Sequence, residues 1–176
     1  MNTVYIRKFN ERDIENKIKW INTEKINKYL HYELPLELEK TIVWYEKIKD
    51  KNNRLDYVIE VEDNNKRISI GLIGLLDIDY KNKKGEFYIC LGNENYHGKG
   101  IAKKASIEFL KLIFEEKKLE KVFLYTEYKN IAAQNLFEKI GFKKEGLLRN
   151  DLIYNKKFID RYIYSILKEE FYDNNI

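Results

Sequence analysis

Ile89-Cys90-Leu91-Gly92-Asn93-Glu94-Asn95-Tyr96-His97-Gly98-Lys99-Gly100-Ile101-Ala102 is the stretch on which the fold turns. The residues from Glu86 to Leu91 read as a strand that stops at Gly92-Asn93. Past Gly98-Lys99-Gly100 the period changes, and Ala102, Ala105, Phe109 and Ile113 recur at helical spacing up to about Glu116. Small residues at a strand-to-helix junction let backbone N–H groups come close to an anion, and the helix start adds the positive end of its dipole. A phosphate or pyrophosphate suits such a loop, with Lys99 as a mobile charge at its rim.

Two nucleotide-binding patterns fail on spacing. A Walker loop needs four residues between its glycines and then Lys-Ser or Lys-Thr, whereas Gly92 and Gly98 enclose five and Gly100 follows Lys99. The dinucleotide fingerprint needs a third glycine after Gly100, which is missing, and it follows parallel strands. Here the preceding strands read as hairpins. Tyr57, Ile59 and Val61 alternate with Glu60 and Glu62, Asp63-Asn64-Asn65 makes a turn, and Arg67 to Ile78 forms the partner. The polar turn Lys81-Asn82-Lys83-Lys84 leads back into the strand that starts at Glu86, which completes an antiparallel meander.

Working outward, Val4 to Lys8 reads as a strand, and Asn10 as the cap of a helix carrying Ile14, Ile18 and Ile21 on one face. A mixed segment from Asn22 to Pro35 precedes a second helix marked by Leu38, Ile42, Tyr45 and Ile48. Downstream, Lys121 to Thr126 reads as a strand and Ile131 to Ile140 as a helix. Two final strands, one beginning at Phe142 and one running from Phe158 to Leu167, flank the turn Asn155-Lys156. Lys168 to Ile176 is expected to be a polar, frayed tail.

Composition narrows the function classes. A chain of 176 residues with 44% hydrophobic content fits one domain, residues 1–176, with enough apolar surface to fold as a globule. The net charge of +4 is spread through the chain rather than blocked, so no nucleic-acid partner is expected. No apolar run is long enough to cross a bilayer and Met1 to Arg12 has no leader pattern, which places the expected location in the cytoplasm. Cys90 is the lone cysteine and His31 and His97 the two histidines, so neither a disulfide nor a metal centre is expected. Self-association, if it occurs, is expected to give a homodimer.

His97-Gly98-Lys99-Gly100-Ile101-Ala102 resembles the Q/R-x-x-G-x-G/A pyrophosphate loop of the GNAT acetyltransferases, with His97 in place of the usual Gln or Arg. Asn130-Ile131-Ala132-Ala133-Gln134-Asn135-Leu136-Phe137-Glu138-Lys139-Ile140-Gly141-Phe142 resembles that family's N-x-x-A-x-x-L-Y-E-K-x-G-F signature. The resemblance runs from about Thr3 to Leu167. Its opening part, with Trp20-Ile21-Asn22 and Lys28-Tyr29-Leu30, is similar to the branch of ribosomal-protein N-terminal and spermidine acetyltransferases. It implies an α+β (mixed α/β) fold. The sheet would be twisted, mostly antiparallel and of six to seven strands, splayed at an acetyl-CoA site and flanked by about four helices.

The resemblance also implies a reaction, direct attack of a neutral primary amine on the thioester of acetyl-CoA. Ile89, Cys90 and Leu91 match the strand that bonds the cofactor arm, His97 to Ala102 the pyrophosphate loop, and Asn130 a further contact. An amine like that of lysine has a pKa of about 10.4, so its proton must be removed, and Glu86 corresponds to the acid that takes it in many relatives. Phe137 occupies the place of a Tyr that protonates the departing thiolate. A thiol with a reference pKa of about 8.5 leaves tolerably without that help. Tyr88, Tyr128 and Tyr154 are read as packing, and Cys90, in an apolar run with no base beside it, as a small hydrophobe. Acceptor selection is expected from residues 22–39, with His31, Tyr32 and Glu33 as contacts, and from the last hairpin. Polyamines, amino sugars, aminoglycosides and protein N-termini are the acceptors in view. A CoA-binding module without turnover and transfer of a larger acyl group are the alternatives.

Overall fold

The computed structural model describes residues 3–175. Seven strands form one sheet: β1 (Val4–Lys8), β2 (Leu55–Asp63), β3 (Lys66–Asp79), β4 (Lys84–Leu91), β5 (Lys121–Glu127), β6 (Lys143–Tyr154) and β7 (Lys157–Leu167). Their order is β1-β2-β3-β4-β5-β7-β6. Six α-helices accompany them: α1 (Ile14–Ile21), α2 (Glu24–Asn27), α3 (Leu38–Ile48), α4 (Ile101–Glu116), α5 (Ile131–Ile140) and α6 (Lys168–Asn175). The first four strands pair antiparallel; short turns join β2 to β3 and β3 to β4, as the alternation of Tyr57, Ile59 and Val61 predicts, while α1, α2 and α3 lie between β1 and β2. Only β4 and β5 run parallel, and a parallel pair needs a crossover, which α4 supplies.

Helices cover both faces. Ala105, Phe109, Leu110, Ile113 and Phe114 of α4 are fully buried, and the Phe109 ring meets Tyr57 at 5.3 Å and Phe87 at 6.1 Å. Each of the Phe, Leu and Ile side chains among them contributes roughly 1.5–3 kcal/mol by leaving water. On the opposite face Phe9, Ile14, Trp20, Val58 and Leu72 form a second core, closed by Trp44 and Tyr45 of α3 and by Tyr88. Strand alternation therefore divides β4. Phe87, Ile89 and Leu91 point to α4, while Glu86, Tyr88 and Cys90 share the face covered by α1 and α3.

Three expectations are corrected. Asn10 caps a 3-10 turn at Glu11–Asp13 through a reciprocal box with Asp13, so α1 starts only at Ile14. Asp13 is held there because Arg7 of β1 grips it at 2.7 Å through two nitrogens and also holds Glu60 of β2 at 2.7 Å. The mixed segment after Asn22 contains the one-turn helix α2. The expected frayed tail is α6, docked by Phe171, which is 2% exposed with its ring 5.4 Å from Phe114. Its mean polarity hides Phe171 and the adjacent Tyr172, which packs on the same core. Residue 176 lies outside the described residues.

Candidate active site

Pairing between β4 and β5 stops at the third position, Glu86 opposite Phe123, after Lys84–Lys121 and Gly85–Val122. Beyond it β4 still pairs with β3 through Leu91, so the strand keeps its place while its β5-facing edge is released. Released backbone N–H and C=O groups need partners, which makes this edge a site for an extended amide-bearing ligand.

At the end of that edge the chain makes a 3-10 turn, Glu94–Tyr96, capped by the Asn93 side chain. His97 Nε2 then lies 2.8 Å from the Leu91 carbonyl. A carbonyl only accepts, so this nitrogen carries the proton and donates, tying the loop to the last residue of β4. Gly98 and Gly100 follow at φ +72° and +75°, a left-handed conformation that side chains other than glycine rarely adopt. A Cβ at either would meet nothing within 4 Å, so that side of the loop is open. The Lys104 N–H closes on the Gly100 carbonyl at 3.2 Å, leaving the earlier N–H groups of α4 without a helical carbonyl behind them. Open space, free donors and a helix dipole make a cradle for a pyrophosphate.

A cleft of about 560 Å³ joins this cradle to the splay. Ile89, Cys90 and Leu91 line it from β4, and His97, Gly98, Gly100, Ile101 and Ala102 from the loop. Asn130, Leu136 and Phe137 close the far wall from α5, whose first turn Asn130 caps by accepting from the Ala133 N–H at 3.2 Å. The sequence thus foresaw ten residues that the fold brings to one cleft. Lys99 is not on its wall: its ammonium sits 5.4 Å from the Tyr96 ring centroid. Lys25, Ile26, Tyr29 and Leu30 line the opposite rim; they fall within residues 22–39, where acceptor selection rather than a wall of this cleft was expected.

Glu86 stands at the root of the splay on the other face, half-buried, outside that cleft. Its carboxylate makes no hydrogen bond or ion pair with any described residue. Burial pushes its pKa above the usual carboxylate range, Arg161 opposing and Asp77 adding to the rise. Phe137 is 6% exposed, packed edge-on against Phe87 and Phe142, and offers no proton. None of Tyr88, Tyr128 and Tyr154 lines the cleft. Tyr88 donates to Asp56, Tyr154 donates to the Tyr32 carbonyl at 3.1 Å, and Tyr128 is largely exposed. Burial pushes the Cys90 thiol up to about 12, which leaves it protonated and unreactive.

The three expected acceptor contacts separate. His31, at φ +58°, is held by Glu127 of β5 at 3.0 Å and by the Tyr154 ring. Tyr32 and Glu33 turn into a second cavity of about 430 Å³ between α1, α3 and the loop that joins α2 to α3. Lys17 and Trp44 line it as well, and neither was foreseen. Lys17 lies three residues from both Ile14 and Trp20, on the apolar side of α1, and that spacing is the signal that could have found it.

Among the described residues no group of three or more His, Cys, Asp and Glu could hold a metal, and no helix is long and apolar enough to cross a membrane. The family model described as Acetyltransferase (GNAT) domain matches residues 3–143. This chain belongs to the GNAT acetyltransferase family.

An uncharacterized N-acetyltransferase, YokL, of the SPbeta prophage of Bacillus subtilis (strain 168) is 32% identical over 128 residues, 73% of this chain and 70% of the relative. The spermidine N(1)-acetyltransferase of Vibrio cholerae is 34% identical over 100 residues, 57% of each chain. Among solved structures, Vibrio cholerae spermidine N-acetyltransferase in complex with CoA and spermine superposes with a TM-score of 0.88 at 25% identity, covering 96% of this chain and 98% of that one. The present GNAT protein is therefore an N-acetyltransferase that uses acetyl-CoA, and its sheet is the GNAT sheet.

Proposed function

We propose that this acetyltransferase carries acetyl-CoA in the cleft between β4 and α5, and that a primary amine enters from the α1–α3 face to meet it at the splay. The amine nitrogen attacks the thioester carbon, the C–N bond forms, the C–S bond breaks, and CoA leaves as its thiolate. The pyrophosphate rests on the N–H groups of residues 98–103, with Lys99 reaching in from the rim, and the pantetheine arm pairs with the released edge at Ile89, Cys90 and Leu91. A backbone N–H of that edge faces the developing oxyanion. Asn130 and Phe137 bound the arm on the other side.

The observation that carries this reading is the coincidence of three features at one strand. β4 loses its β5 partner just past Glu86, it exits into an open glycine cradle, and its root holds an unpaired, half-buried carboxylate. A carboxylate without a partner and with a raised pKa is a competent proton acceptor, directly or through one water. Glu86 takes the amine proton, while the thiolate needs no acid from position 137. His31, Tyr32 and Glu33 shape the acceptor entrance, His31 by fixing the loop and the other two by lining it. Spermidine is the acceptor named for the Vibrio cholerae relative, which puts polyamines first for assay, with amino sugars and protein N-termini beside them. Residues 1–176 are proposed to be one domain acting in the cytoplasm, with a homodimer as its assembled form.

Glu86→Gln tests the assignment. It is expected to lower kcat/KM by about 10²–10⁴-fold and to remove the acidic limb of its pH profile. An unchanged rate and profile would remove Glu86 from the mechanism.

A further inference from the structure

Lys17 is 5% exposed, yet no carboxylate of any described residue lies within ion-pair distance of its ammonium. Its protein neighbours are aromatic. The ammonium sits 4.6 Å from the Trp44 ring centroid, 5.0 Å from that of Tyr32, and 3.5 Å from the Tyr32 hydroxyl, at the outer limit of a hydrogen bond. An ammonium has three N–H donors, and this contact uses one of them weakly. Ring faces offset part of the cost of burying the charge, but a buried cation without an anion remains expensive.

The missing partner is not supplied by the cavity wall. Glu37 is held by Lys40 at 2.8 Å, and Glu33 is exposed at the mouth. Lys17 lines this cavity of about 430 Å³, with Trp44, Thr41 and Leu36 around it, so its spare donors have room to meet a ligand. The cavity also abuts the reaction face. Trp44 of its wall packs in one core cluster with Tyr88, and Tyr88 shares its face of β4 with Glu86.

We propose that the α1–α3 cavity is an anion subsite for the acceptor, in which Lys17 binds a carboxylate carried by the same molecule whose amine is acetylated. This rests on the acceptor entering from the α1–α3 face. With its carboxylate on Lys17, the molecule points its amine end along β4 toward Glu86. Lys17 thereby favours amino acids or amino-acid-like amines over simple polyamines, whose second cation it repels.

The test uses glycine, β-alanine, γ-aminobutyrate and ε-aminocaproate, each beside its amide, with putrescine and cadaverine as cationic counterparts. Binding is read by calorimetry on the CoA-loaded protein, and turnover separately by thiol release from acetyl-CoA. At least one amino acid is expected to bind about tenfold or more tighter than its amide and than either diamine. Lys17→Met, which keeps the apolar contacts, is expected to erase that preference while leaving amide binding within about twofold. If every amide binds as well as its acid, or the diamines bind best to the unsubstituted protein, the subsite is wrong even should Lys17→Met fail to fold. Selective acid binding without thiol release from any amine would leave the anion site standing as a ligand site, overturn its acceptor role, and count against the transferase reading instead.

Discussion

A carboxyl whose pKa is raised by burial binds its proton more tightly in the folded chain than in the unfolded one. For Glu86 the sign follows from that. Its stabilising contribution is complete below the unfolded pKa and is lost as pH rises through the folded value, so at neutral pH the buried charge weakens the fold. Glu86→Gln is accordingly expected to raise Tm at neutral pH while activity falls, and to lose that advantage in acid; a lowered Tm at neutral pH would contradict the burial argument. Cys90 gives the opposite expectation. With its thiol held at about 12 and 9% exposed, Cys90→Ala should keep kcat within a few-fold and leave no covalent acetyl-enzyme to trap by mass spectrometry. Both residues were legible in the sequence as residues of the strand entering the loop. Lys17 was less so, because a lysine on an apolar helix stripe looks like a break in the pattern until the fold shows what surrounds it.

Among the elements, those with strong periodicity behaved as their patterns required. Phe109 and its neighbours gave α4, and the alternation through Tyr57 to Val61 gave β2. The elements that were misjudged depend on tertiary contacts that periodicity does not report. α6 reads as a polar tail because its apolar contacts come from the adjacent pair Phe171 and Tyr172 rather than a periodic stripe; Phe171 is the more buried, so Phe171→Ala is expected to cost about 3–5 kcal/mol, measured as a shift in the denaturation midpoint. A loss of only a few tenths would return these residues to the status of a frayed end. The loop element is held just as locally. A Cβ at Gly92 would fall 1.9 Å from the Trp20 ring, which is 5% exposed and cannot retreat, so Gly92→Ala should destabilise the chain and loosen the connection from β4 to the cradle. Thermal melts and CoA titrations read the two effects separately.

For the whole molecule, the chain order alone foretold two hairpin-linked regions joined by a strand, a glycine loop and a helix. The single, mostly antiparallel sheet of six to seven strands was expected through the family resemblance, and its one parallel pair follows in the structure from the α4 crossover. The splay itself was legible only through family resemblance, because no residue pattern records where two strands stop pairing. The acceptor side was the least legible. Its cavity assembles Lys17 from α1, Tyr32 from a loop and Trp44 from α3, residues far apart in sequence that only the packing of these elements brings together. The most direct test of the account is thiol release from acetyl-CoA across the acceptor panel, comparing the protein with Gly100→Glu. That variant places an anionic side chain in the open space of the cradle at φ +75°. Amine-dependent thiol release that Gly100→Glu abolishes, with CoA affinity lowered by about a hundredfold, is the predicted result. Undiminished release and undiminished CoA affinity in Gly100→Glu would contradict it.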